Sequence, residues 1–103
     1  MYVLNYWHTT PDYAEWKKVF DSDPLGREAS GVRRVSIERP IDDEHTVIGE
    51  LEFDSLGEAE TFAGRLQEVW NGSARSVVSN EGYRITEVLV QQYLGSEASR
   101  RAA

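Results

Sequence analysis

The stretch YVLNYWH, residues 2–8, carries apolar groups on both sides of an extended chain. Alternation puts Tyr2, Leu4 and Tyr6 on one face and Val3 and Trp7 on the other. The last strand, expected over Arg84–Leu94, repeats this, with Ile85, Leu89 and Tyr93 opposite Val88, Val90 and Leu94. A strand that is apolar on both faces needs cover on both. Whatever fold is chosen must therefore bury this sheet from two sides.

The elements between these strands supply cover for one side. Thr10-Pro11 reads as a helix start, with Thr10 as N-cap and Pro11 at the first helical position. Asp12 and Glu15 follow in the first turn, where the helix dipole favours acids. Tyr13, Trp16, Val19 and Phe20 then form one apolar helical stripe. Val32–Arg39 and Thr46–Phe53 alternate as half-buried strands, and their short polar link predicts a hairpin. Ser55-Leu56-Gly57-Glu58 has the form of a capping box. Ala59, Phe62, Ala63, Leu66, Val69 and Trp70 follow it at helical spacing, up to the stop at Asn71-Gly72. Ser73–Asn80 fits a short strand or a docked loop.

The order β-α-β-β-α-β is the split βαβ pattern of the ferredoxin-like α+β fold. Its four-stranded antiparallel sheet carries both helices on one face. The second face then calls for a second copy, sheet against sheet, in a homodimer. With 103 residues, one domain over 1–94 is expected, followed by a flexible tail over 95–103.

Composition narrows the function. Eighteen acids against eleven bases give a net charge of −7, which disfavours nucleic acid and anionic membranes as partners. Nine of the acids fall in residues 31–60, a solubilising face. The chain has no cysteine, so disulfides, thiolate nucleophiles and thiolate metal sites are excluded. No apolar run approaches the ~20 residues of a membrane span, and no signal sequence is apparent, so a cytoplasmic location is expected. Asp42-Asp43-Glu44-His45 has the composition of a metal cluster, but four adjacent turn residues do not converge easily on one ion, and no metal site is expected.

Two polar residues stand out in the first strand. His8 has an intrinsic pKa near neutrality and is a candidate base toward a phenolic substrate; the simpler alternative is a strand-end residue capping the loop before Pro11. Asn5 is a candidate for orienting an enolate or oxygen; the alternative is a hydrogen bond to a neighbouring side chain. Trp7, Trp16, Phe20, Phe62, Leu66 and Trp70 are the candidate wall of a pocket for a flat molecule, although plain core packing explains most of their spacing. Arg27 and Arg39 are candidates for holding a carboxylate or phenolate. Alternation sends Tyr6 and His8 one way and Asn5 and Trp7 the other, so one pair faces the helices and the other the partner sheet.

The element order, the length and the stretches H-x-x-x-D-Y-x-x-W (His8–Trp16), F-D (Phe20-Asp21), G-V (Gly31-Val32), R-x-x-D-D (Arg39–Asp43) and E-F-D-x-L (Glu52–Leu56) resemble the dimeric α+β barrel superfamily. Within it, the chain looks most like small proteins related to antibiotic biosynthesis monooxygenases, over residues 2–94. The resemblance implies a face-to-face sheet dimer with a pocket in each subunit between helices and sheet. It also implies a cofactor-independent monooxygenase or cyclase acting on a small aromatic, polyketide-like molecule. A non-catalytic ligand-binding or structural homodimer is the alternative. The haem-degrading relatives use an Asn on the first strand, a Trp, and a haem-ligating His on the second helix. Asn5 fits the first, but residues 55–70 contain no histidine, so no bound cofactor is expected.

Overall fold

The structure, a computed structural model, describes residues 1–95. The expected tail, apart from Gly95, lies outside the described residues. Six elements follow in the expected order: β1 (Tyr2–Thr9), α1 (Tyr13–Ser22), β2 (Val32–Glu38), β3 (Thr46–Phe53), α2 (Leu56–Asn71) and β4 (Ser79–Glu87). The sheet is antiparallel with strand order β2-β3-β1-β4, so the fold is ferredoxin-like. Both helices cover one face. No helix among the described residues is long and apolar enough to cross a membrane.

The two helices pack differently. α2 buries Ala59, Phe62, Ala63 and Trp70, whereas α1 buries only Trp16. The small Ala59 and Ala63 let α2 settle closely onto the sheet, where Phe62 meets Phe53 at 5.6 Å between ring centroids. At its start, Ser55 Oγ accepts the Glu58 N–H at 3.1 Å and donates to Glu58 Oε1 at 3.2 Å. Such a cap contributes about 1 kcal/mol. The Glu58 carboxylate also fills the space beside Gly31, where φ is +100° and an added Cβ would lie 2.5 Å from Oε2. Only glycine suits that entry into β2.

Two expectations at element ends are corrected. The N-cap of α1 is Asp12 rather than Thr10: the Asp12 carboxylate accepts from the N–H groups of Ala14 at 2.9 Å and Glu15 at 3.3 Å. Thr10 remains tied to the sheet, its N–H donating to the His45 carbonyl at 2.8 Å. The last strand runs over Ser79–Glu87 rather than Arg84–Leu94. Its ladder with β1 ends where Glu87 stands opposite Tyr2. The final bond runs from the Val88 N–H to the Met1 carbonyl at 3.0 Å. Beyond it Leu89 is 83% exposed and Val90 78%.

Candidate active site

Because α1 sits lightly on the sheet, an apolar cleft remains between the helices and the strands. Trp16, Val19 and Phe20 of α1 form one wall, and Phe62, Leu66, Val69 and Trp70 of α2 the other. Tyr6 and Leu51 form the floor, and the turn Asp23–Arg27 forms the rim. The cleft encloses about 540 Å³ counted out to its open mouth, but admits the centre of a water-sized sphere over only about 60 Å³. The inner figure is far below the ~300–1,000 Å³ of small-molecule sites, so a ligand enters only if the walls part. That space holds only a few waters, so the interior is narrow.

Tyr6 lies low in this floor because its cross-strand partner is Gly49. A Cβ on Gly49 would lie 2.2 Å from the Tyr6 ring. The ring stacks on His8, with centroids 5.9 Å apart and planes at 9°. Trp16 lies 5.4 Å from His8 and Trp70 6.5 Å, so three rings that line the cleft enclose the imidazole. His8 is 1% exposed and neither ring nitrogen has a hydrogen-bond partner. A buried polar group without a partner is uncommon and costs about 1–3 kcal/mol. Burial also pushes the His8 pKa below its ordinary value, which keeps the imidazole neutral near pH 7. Burial pushes the Tyr6 phenol well up, against an opposing pull from the Arg27 charge, so its O–H stays protonated.

Arg27 closes the mouth. Its guanidinium carbon lies 4.0 Å from the Phe20 ring centroid, and its Nη1 donates to the Phe20 carbonyl at 2.9 Å. Asp23 fixes it from below: its carboxylate accepts the Arg27 N–H at 2.9 Å and approaches Nη1 to 3.5 Å. A cation packed on an aromatic ring at a cleft mouth suits a planar anion.

The sequence-based candidates separate cleanly. Trp16, Phe20, Arg27, Phe62, Leu66 and Trp70 line the cleft, and His8 stands just behind it. Asn5 and Trp7 do not join them: of the two pairs that alternation separates, it is Tyr6 and His8 that face the helices, which corrects Asn5 as a catalytic candidate and Trp7 as a pocket candidate. Odd-numbered residues of β1 point away from the helices, and Asn5 Nδ2 donates to Thr86 Oγ1 at 3.0 Å on that open face. Trp7 lies there against Gly82 and is 41% exposed. Arg39 is away from the cleft, 5.8 Å from the Tyr13 ring. In the acidic turn, Asp43 accepts from the His45 N–H at 2.9 Å and from Thr46 Oγ1 at 2.5 Å. Sequence reasoning missed Tyr6 as a floor residue. Its signal was Gly49 at the centre of β3, a glycine that marks a close approach.

No family model matches the sequence, and no curated protein matches it either. Solved structures do. A candidate antibiotic biosynthesis monooxygenase from Deinococcus radiodurans superposes with a TM-score of 0.73 at 11% identity, covering 93% of this chain and 100% of that one. SnoaB, a cofactor-independent oxygenase from Streptomyces nogalater, gives 0.69 at 14% identity, covering 87% and 94%. MhuD, a haem degrader from Mycobacterium tuberculosis with two haems in its active site, gives 0.67 at 18%, covering 90% and 100%. At these identities the likeness establishes the fold and not the reaction. The chain has the ferredoxin-like fold of the antibiotic biosynthesis monooxygenase-like proteins.

Proposed function

We propose that the protein is a small-molecule enzyme, a cofactor-independent monooxygenase or cyclase acting on a planar aromatic hydroxyketone held in the cleft. The observation that carries this reading is His8: a neutral imidazole, without hydrogen-bond partners, enclosed by three rings that line an apolar cleft. The aromatic walls take the ring system, and Arg27 meets a phenolate or carboxylate at the mouth. As the substrate enters, Trp16 and Trp70 part, and His8 takes a proton from the ring CH2 that is conjugated to the carbonyl across the ring. The Tyr6 hydroxyl donates to the enolate oxygen that forms. Molecular oxygen then receives electrons from this carbanion. Overall a ring CH2 and O2 become C=O and H2O. Without oxygen, the same carbanion attacks an internal carbonyl, forms a C–C bond and regains a proton. Asn5, on the other face, has no part in the step.

Haem chemistry fits poorly. None of the described residues that line the cleft is histidine, α2 has none, and Asn5 faces away. The 1% exposure of His8 favours a second reading, a non-catalytic ligand-binding protein, since a base must meet its substrate.

In either reading the chain pairs as a homodimer through the open face of the sheet. Trp7, Ile48 and the apolar segment beyond Glu87 support this, because together they leave apolar surface that one copy does not cover. A monomeric mass by light scattering at micromolar concentration contradicts it.

The decisive assay incubates the protein with a hydroxyanthrone in air and under argon, following oxygen uptake and absorbance. Oxygen-dependent conversion that falls at least ~10²-fold in His8→Gln is expected. Turnover unchanged by that substitution, in a protein with native circular dichroism, rejects the mechanism. Tight binding without turnover selects the second reading.

A further inference from the structure

Strands β1 and β4 pair in register from Tyr2↔Glu87 to Trp7↔Gly82, slip, and resume at Thr9↔Ser79. One residue of β1, His8, therefore stands against two of β4, Asn80 and Glu81. Such bulges re-aim side chains. Asn80 absorbs the distortion in the left-handed region, with φ 53°, and its Nδ2 donates to Thr9 Oγ1 at 3.1 Å. Gly82 faces the open side, since a Cβ there would lie 2.7 Å from the Trp7 ring. Alternation then turns Glu81 to the opposite side, the face that carries His8.

The Glu81 carboxylate is held in place. Arg75 Nη2 lies 2.7 Å from Oε1 and Nη1 3.0 Å from Oε2, a two-pronged grip. Arg75 also donates to the Val78 carbonyl, which anchors it to the start of β4. The other neighbours of His8 carry no charge: β1 gives Tyr6, β3 gives Val47 across the pair, α1 gives Trp16 and α2 gives Trp70. His45 approaches from the loop before β3, its Nδ1 3.1 Å from the Thr10 carbonyl. Glu81 and His8 feel each other's charge, and the Arg75 pairing holds the Glu81 carboxyl down at about 2, ionised at working pH.

We propose that Glu81 is a positioning residue for His8: the β1/β4 register sets its carboxylate, clamped by Arg75, across from His8 on the same face, to stabilise the imidazolium formed when His8 takes a proton. This rests on the reading of His8 as the base. The register that runs from Tyr2↔Glu87 to Trp7↔Gly82 continues to Glu81 opposite His8, and the slip adds Asn80 beside it.

The test is an NMR titration of the two imidazoles in the intact protein, with His45 as internal control. Glu81→Gln keeps a hydrogen-bonding oxygen for Arg75 and removes the charge. It should lower the proton affinity of His8 at least about threefold, from loss of a screened charge on the same face of the sheet, and leave His45 unmoved. Glu81→Asp, which keeps the charge, should restore most of the loss and serves as the readout if the Gln variant fails to fold. A purely structural role changes stability without moving the His8 midpoint. An unchanged midpoint in folded Glu81→Gln, or no difference between His8 in Glu81→Asp and in Glu81→Gln, overturns the proposal. A shifted midpoint alongside full turnover by His8→Gln overturns only the assignment of the base.

Discussion

The two faces of this sheet are built from the same four strands and do opposite things. Toward the helices, Leu4, Tyr6, His8, Leu51 and Phe53 are almost wholly removed from water. Toward the open side, cross-strand neighbours are Asn5, Glu50, Ser36 and Arg84 in one row and Val3, Glu52, Arg34 and Thr86 in the next. Glu52 is buried there against Arg34, which is itself about half exposed. Asn5 has found its partner in Thr86, whereas His8 has none. A satisfied amide and an unsatisfied imidazole, three residues apart on one strand, separate a surface for assembly from a site for chemistry. The difference teaches that an orphaned polar group, rather than polarity itself, marks the reactive face.

The comparison breaks most visibly at the tryptophans. Trp70→Ala, in the wall of the cleft, should cost about 3–5 kcal/mol in urea unfolding, from lost burial and the cavity left behind. Trp7→Ala, on the open face, should cost roughly 1 kcal/mol when measured below the concentration of any dimer. Equal losses from the two would erase the distinction between the faces.

The glycines sharpen it. Gly49→Ala drives a methyl into the Tyr6 ring, which is packed on all sides, and should cost about 1–3 kcal/mol while shifting the His8 ring resonances. Gly82→Ala meets Trp7, which can swing into solvent, and should cost under about 1 kcal/mol. A mild Gly49→Ala variant with unmoved His8 signals would mean that the floor of the cleft is not fixed as described.

The smallest effect is on pH dependence. Burial depresses the His8 pKa in the folded state, so the unfolded chain binds the proton more readily. The contribution of His8 is complete above the ordinary value of 6.5 and is lost as pH falls through its lower folded value. Urea midpoints should fall on acidification through that window in the native protein, and fall less in His8→Phe. Parallel pH curves for the two would show that His8 is not held neutral.

Much of the scaffold was legible because local signals agreed with tertiary ones. Ser55 and Glu58 open α2 where the capping pattern placed them, and the stripe from Ala59 to Trp70 faces the core. The end of β4 was not legible. Val88–Leu94 has the composition of a strand, but strand length depends on the partner, and the ladder to β1 ends at Tyr2↔Glu87. The site was legible in part. Alternation divided Asn5 and Trp7 from Tyr6 and His8, but which pair meets the helices depends on how the chain crosses between layers. Gly49 was the one local mark of the inward face. The pairing of Glu81 with His8 left no such mark, since it depends on the register of β4 against β1, and the bulge at Asn80 sits inside an otherwise ordinary strand sequence.

The central claim is that a planar aromatic ligand enters on the helix side and reaches His8. Isotope-labelled protein titrated with a hydroxyanthraquinone, a ring system that cannot turn over, tests this directly by NMR. The account predicts saturable shifts at Phe20, Leu66, Trp70 and the His8 ring, with Asn5 and Trp7 unmoved. Shifts confined to Asn5 and Trp7, or no saturable shift at any of these residues, would contradict it.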